Sequence, residues 1–163
     1  MSFQCALVPG TYDPVTLGHI NVIRRTAQIF ERVVVSVAAS PQKGGGPLFS
    51  LDERVGFIRD AISDLDNVDV MPFTGLLVDF AREQGASVVV KGLRAVTDFE
   101  SEFQQASLNH KLSPDMETIL IMSNPEHMFL SSSIVKEIAS HGGRIDDWVT
   151  PLVKAELIAR FNK

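Results

Sequence analysis

The sequence predicts an α/β protein built on an open, parallel, five-stranded sheet with helices on both faces. Three observations carry that prediction. Five short β-branched or apolar runs, each closed by Pro, Gly or a polar residue, alternate with stretches of helical period. The run Val88-Val89-Val90 is apolar at successive positions, as a parallel strand buried on both faces must be. At 163 residues, with no linker, repeat or low-complexity tract, the chain reads as one domain spanning residues 1–163.

In chain order, Phe3–Val8 is the first predicted strand. Ile20, Ile23, Ala27 and Phe30 then form the stripe of a first helix. Val33–Ala38 is the second strand. The tract Gln42-Lys43-Gly44-Gly45-Gly46-Pro47 follows it, and its three glycines predict a flexible connection. Ser50-Leu51-Asp52-Glu53 is a capping box opening a second helix, whose stripe is Leu51, Val55, Ile58, Ile62 and Leu65. Val68–Met71 is the third strand, and Leu76–Gln84 a third helix closed by Gly85. Ser87–Val90 is the fourth strand, and a fourth helix from about Asp98 to Leu112 stops at Ser113-Pro114. Thr118–Met122 is the fifth strand. Ser132–His141 is a helix ended by Gly142-Gly143, and a last helix starts near Thr150 with Pro151 in its first position, turning Val153, Leu157 and Phe161 inward.

Composition narrows the function. Fifteen Lys and Arg against twenty Asp and Glu give a net charge of −5, which argues against a protein that grips nucleic-acid phosphates. An anionic ligand therefore needs a local basic pocket. The single cysteine, Cys5, leaves no internal disulfide or cysteine-clustered metal site, and reads as a small buried apolar residue. Met1-Ser2-Phe3-Gln4 has no basic, apolar leader character, and no apolar run nears the roughly 18 residues that span a bilayer. A cytoplasmic protein with no membrane partner is expected.

Ligands of open parallel sheets bind beyond the carboxyl ends of the strands, so the segments predicted to follow each strand belong together. These are Pro9–His19, Ser40–Lys43, Phe73–Leu77, Lys91–Arg94 and Ser123–Ser133. Thr11, His19, Lys43, Lys91, Arg94 and Ser131-Ser132-Ser133 would line one cationic, hydroxyl-rich rim suited to phosphates. No Gly-x-x-x-x-Gly-Lys-Ser/Thr is present, and no Gly-x-Gly-x-x-Gly follows the first strand, which excludes two common nucleotide-binding designs. Instead Gly10 is read as letting backbone approach a ligand, while Gly18 and His19 open a helix whose free N–H groups favour an anion.

Thr16-Leu17-Gly18-His19 resembles the (H/T)-x-G-H signature of the nucleotidyltransferase superfamily. With Pro9-Gly10-Thr11-Tyr12-Asp13-Pro14, Lys91-Gly92-Leu93-Arg94, Asp98-Phe99-Glu100 and Ser131-Ser132-Ser133-Ile134-Val135-Lys136-Glu137, in that order, the chain resembles bacterial phosphopantetheine adenylyltransferases over nearly its whole length. The resemblance implies a Rossmann-like sheet of the nucleotidyltransferase type. It implies transfer of AMP from ATP to 4'-phosphopantetheine with release of pyrophosphate, in coenzyme A biosynthesis. It implies His19 as transition-state stabiliser, aided by Thr11, Lys43 and Arg94. Thr11, Lys43, Leu77 and Lys91 would hold the acceptor. Thr11, Tyr12, His19, Gly92, Leu93, Arg94, Glu102, His127, Met128, Phe129, Leu130, Ser131, Ser132 and Ser133 would meet ATP. Magnesium would be held mainly through ATP phosphates rather than protein carboxylates, and the assembly would be a homohexamer, a dimer of trimers.

Lys91 stands where many members carry arginine, Ser101 replaces a tyrosine and His127 an aromatic residue. The glycines after Lys43 suggest a lysine-bearing lid. The acceptor's second phosphate pKa is near 6, so no general base is required. Each residue also has a plainer reading. Lys43 can be a solvated loop lysine, Glu102 a surface helix charge, Asp13 a cap on the local turn, and the serines an N-cap cluster. His110 and His141 read as structural or solvent-facing groups, and Trp148 as a packing anchor or subunit contact. The alternatives are a nicotinate-mononucleotide adenylyltransferase, a glycerol-3-phosphate cytidylyltransferase, a nucleotide-binding module without turnover, or a structural protein.

Overall fold

The computed structural model describes residues 4–39 and 45–162. Among them are five strands and six α-helices: β1 Cys5–Gly10, α1 Leu17–Ala27, β2 Arg32–Ala38, α2 Leu51–Ala61, β3 Val68–Phe73, α3 Leu77–Gln84, β4 Val88–Leu93, α4 Val96–Leu112, β5 Glu117–Met122, α5 Ser132–Ser140 and α6 Pro151–Phe161. A short 3₁₀ turn at Pro125–His127, not foreseen, precedes α5. The sheet order is β3-β2-β1-β4-β5, parallel throughout.

Alternating strand positions feed two apolar layers, as period-two geometry requires. Ala6, Val8, Val33, Val35, Val37, Val88 and Val90 face α1, α2, α5 and α6. Cys5, Leu7, Val34 and Val89 face Val78, Phe80 and Ala81 of α3, together with Met116. The predicted valine run is thus divided between the two layers. The Ser50–Glu53 capping box is present in both directions, at 3.2 and 2.7 Å. Gly85 closes α3 at φ 65°, a left-handed conformation in which a side chain would be strained. Thr150 caps α6 with Pro151 in its first position. Trp148 packs beside the larger layer, and its carbonyl accepts from Leu17 N–H at the start of α1.

Three boundaries correct the expected ones in ways that matter for the site. β1 extends to Gly10, β3 to Phe73 and β4 to Leu93, so Pro9, Gly10, Phe73, Lys91, Gly92 and Leu93 are strand residues rather than loop residues. Phe30 lies past the end of α1, although still buried. The fourth helix begins two residues earlier than expected, at Val96, and the fifth ends at Ser140 with His141 as its cap.

The crevice follows from strand register. β1 pairs with β2 over six residues, through Gly10 opposite Val37, but with β4 only at Ala6–Val88 and Leu7–Val89. Pro9 brings no N–H to a ladder. Beyond Leu7 and Val89 the two strands part, at the point where the connectivity turns from one half of the sheet to the other. That is where a parallel open sheet binds ligands.

Candidate active site

A cavity of about 390 Å³ fills this gap, lined by strand residues Val8, Gly10, Val90, Lys91 and Gly92, by His19 of α1, and by Ser131 and Ser132 where α5 begins. A second cavity of about 300 Å³ adjoins it, lined by Thr11, Asp13, Gly46, Ser133 and Lys136. Tyr12, His19 and Ser132 belong to both, so His19 stands where the two spaces meet.

His19 is fixed by the start of its own helix. Thr16 is the N-cap of α1, and its hydroxyl accepts from the His19 N–H at 3.4 Å. In return His19 Nδ1 accepts from the Thr16 backbone N–H at 3.0 Å. This is a capping box with histidine in the place usually held by Glu or Gln. Because a backbone N–H can only donate, Nδ1 carries no proton in this arrangement, and the neutral ring bears its proton on Nε2. The ring is packed edge-on against Tyr12, with centroids 5.1 Å apart. Burial, with the positive charges of Arg94 and Lys91 nearby, pushes its pKa down to about 4. At neutral pH His19 is therefore an uncharged, pre-aimed hydrogen-bond donor.

The turn between β1 and α1 is equally determined. Tyr12 adopts φ 53°, which non-glycine residues rarely take, and its hydroxyl donates to the Val8 carbonyl at 2.8 Å. Burial pushes the phenol's pKa up, so it remains a neutral donor. A Cβ on Gly10 would lie 2.9 Å from the Tyr12 ring. Glycine is thus needed there for the tyrosine, and the same residue lines the first cavity. Gly92 has a comparable role: a Cβ would meet Val22 Cγ2 at 2.9 Å, so glycine lets α1 lie close to β4.

The cations of the rim are held by carboxylates. Lys91 Nζ lies 3.4 Å from Glu102, and Arg94 pairs with Asp98 at 3.1 Å while donating to the Leu130 carbonyl at 2.6 Å. Glu102 is not a solvated surface charge, since its side chain is 18% exposed and faces the cavity beside Lys91. Ser131 caps α5 by accepting from Ile134 N–H, and Ser132 donates to the Pro14 carbonyl at 2.7 Å. Ser133 lines the second cavity with Thr11. His127 lines the first, and its buried Nδ1 has no hydrogen-bond partner.

Not every expected residue converges on the cavities. Leu77 begins α3 and packs on the smaller apolar layer, and it lines neither space. Met128 and Phe129 are exposed, Phe129 at 86%, and the cavity is lined by Leu130 instead. Leu93 ends β4 next to the lining residues Gly92 and Arg94. Lys43 lies outside the described residues.

Sequence reasoning missed Arg54. Its side chain is 2% exposed and donates to three carbonyls, Thr11 at 2.7 Å, Ala38 at 2.9 Å and Phe49 at 3.2 Å, joining the turn after β1, the end of β2 and the approach to α2. Burial lowers its pKa from the usual guanidinium range. A signal existed: Arg54 lies next to Val55 of the apolar stripe, near the start of a helix.

The strand ends thus part over a helix N-terminus that carries the Thr-x-Gly-His box, beside a cationic rim. A sequence model described as cytidylyltransferase-like matches residues 7–138. Solved structures share the fold at low identity. One is a putative nicotinate-nucleotide adenylyltransferase from Vibrio parahaemolyticus (TM-score 0.67, 16% identity, 97% of this chain and 99% of that one). Another is the Plasmodium falciparum nicotinic acid mononucleotide adenylyltransferase (TM-score 0.70, 13% identity, 98% and 96%). Much closer in sequence are the phosphopantetheine adenylyltransferases of Heliobacterium modesticaldum, 49% identical over 156 residues (96% of this chain, 92% of that protein), and Thioalkalivibrio sulfidiphilus, 52% identical over 156 residues (96% and 97%). The chain belongs to the phosphopantetheine adenylyltransferase family.

Proposed function

We propose that the protein transfers the adenylyl group of ATP to the phosphate of 4'-phosphopantetheine, giving dephospho-coenzyme A and pyrophosphate. The observation that carries this reading is the neutral His19, its proton held on Nε2 by the Thr16 backbone, between two adjoining cavities that also contain Lys91, Arg94 and the α5 serines. An oxygen of the acceptor phosphate forms the new bond to the α-phosphorus, and the bond from that phosphorus to the bridging oxygen of the β-phosphate breaks. The electron pair leaves on pyrophosphate. The acceptor is largely ionised at neutral pH, so the protein's tasks are alignment of two repelling anions and stabilisation of charge as it develops.

His19 serves the second task by donating from Nε2 to an α-phosphate oxygen. Thr11 and Lys91 align the acceptor, Arg94 and the Ser131–Ser133 segment take the outer phosphates, and Glu102 orients Lys91. Lys43 joins the acceptor phosphate in this reading. Magnesium enters with ATP: Asp13, Asp98 and Glu102 are each engaged by a cation, which favours coordination by phosphate oxygens. We also infer a cytoplasmic enzyme assembled as a dimer of trimers. Exposed Phe99, Phe103, Leu108 and Leu112 on α4 support assembly, and among the described residues no helix is long and apolar enough to cross a membrane. Light scattering measures the assembly.

The decisive experiment supplies ATP and magnesium with 4'-phosphopantetheine, nicotinamide mononucleotide or glycerol 3-phosphate in parallel, follows pyrophosphate and identifies the product. Pyrophosphate with the mononucleotide and none with phosphopantetheine would overturn the reading.

A further inference from the structure

We propose that Asp13 is a positioning residue of the transfer site, and that the Lys136–Asp13 ion pair registers the serine-bearing start of α5 against the turn carrying Thr11. The inference rests on the adenylyl-transfer reading above. Asp13 is 5% exposed, yet it does not cap its own turn. Its carboxylate accepts from Leu48 N–H at 2.8 Å, from Phe49 N–H at 2.9 Å and from Lys136 Nζ at 2.7 Å, groups 35, 36 and 123 residues away. A buried charge with three charge-assisted hydrogen bonds to two distant segments acts as a joint between them.

The joint has a second stitch. Ser132 donates to the carbonyl of Pro14, the next residue, at 2.7 Å. Ser132 and Lys136 are four apart on α5 and so lie on one helix face. That face is tied to Asp13 and Pro14 at two points, and it also presents Ser132 and Lys136 to the cavity shared with Thr11 and His19. On the far side, Leu48 and Phe49 are independently secured, by Arg160 on the Leu48 carbonyl and Arg54 on the Phe49 carbonyl. Among the described residues, Lys136 is the one link between α5 and this buried carboxylate. Without it the hydroxyls of α5 and Thr11 lose their common register, and misplacement of reacting groups by about 1 Å costs up to roughly 10²-fold in rate.

Lys136→Met is the informative change, because Asp13 keeps its two backbone donors. With the full chain, ATP, magnesium and 4'-phosphopantetheine, well below the unfolding temperature, kcat is expected to fall about 10- to 100-fold while the KM for ATP changes by less than about threefold. Lys136→Arg restores kcat to within about threefold of wild type, and Asp13→Asn combined with Lys136→Met loses no more than the poorer single variant. A kcat for Lys136→Met within about twofold of wild type, or multiplicative losses in the double variant, overturns the proposal. Should Lys136→Met fail to fold, Lys136→Gln takes its place, and unfolding of that variant as well assigns the pair to stability and equally overturns it. Wild-type protein inactive with phosphopantetheine would instead sink the functional reading.

Discussion

Lowering the pH tests the charge state of His19 directly. The ring should stay neutral well below its ordinary pKa of 6.5, titrating near 4, because burial and the charges of Arg94 and Lys91 disfavour the imidazolium. That interval corresponds to about 3 kcal/mol in favour of the neutral form. In the unfolded chain the same ring takes up its proton near 6.5, so the unfolded state binds more protons between 6.5 and 4. The stabilisation is complete above 6.5 and disappears as the pH falls through that window. Part of the ring faces the open cavity, and with solvent screening the loss between pH 7 and 5 comes to about 1–2 kcal/mol. Nitrogen-15 NMR of histidine-labelled protein gives the titration midpoint and the tautomer. Urea unfolding of wild type and His19→Ala at both pH values gives the stability term, as the pH dependence of the first minus that of the second. A midpoint at or above 6.5, a proton on Nδ1, or an equal loss in the two proteins would refute the argument.

Three further outcomes are expected. His19→Ala should lower kcat by roughly 10²–10³, as loss of one preorganised donor does elsewhere, measured as pyrophosphate release. Arg54→Met leaves the Thr11, Ala38 and Phe49 carbonyls without their donor and should cost about 2–4 kcal/mol in urea unfolding, whereas unchanged stability would show that water replaces it. Gly92→Ala places a methyl 2.9 Å from Val22, a stiff side chain one helical turn beyond His19. It should cost about 1–3 kcal/mol and reduce kcat, and an unaltered melting temperature would contradict the close approach of α1 to β4.

Much of the fold was legible because the strands announce themselves: Val33 to Val37 and Val88 to Val90 are β-branched wherever they meet either layer. Helix starts were legible where a side chain closes the end, as at Ser50 and Thr150. Strand ends were not. Pro9, Gly10, Pro72 and Gly92 are strand breakers by composition, yet the neighbouring strands hold them in the ladder. The 3₁₀ turn at Pro125–His127 has no periodicity to betray it. Within the site, Thr16 and His19 were readable as a motif, but the tautomer was not, since it depends on which atom meets the Thr16 N–H. Asp13 and Arg54 were least legible of all. Their partners lie 35 to 123 and 5 to 43 residues away, and spacing along the chain carries no trace of such pairings.

Histidine at the third position of α1 also marks a stabilising substitution that this protein must forgo. Glutamate is the usual partner of an N-cap threonine, and His19→Glu would complete an ordinary capping box, complement the helix dipole and add no bulk. It would also place a carboxylate where the two cavities meet, against the phosphates of the proposed reaction. Directed evolution for heat resistance alone, with turnover left unselected, should therefore drift toward acidic residues at position 19, and the resulting enzymes would be sturdier and inert.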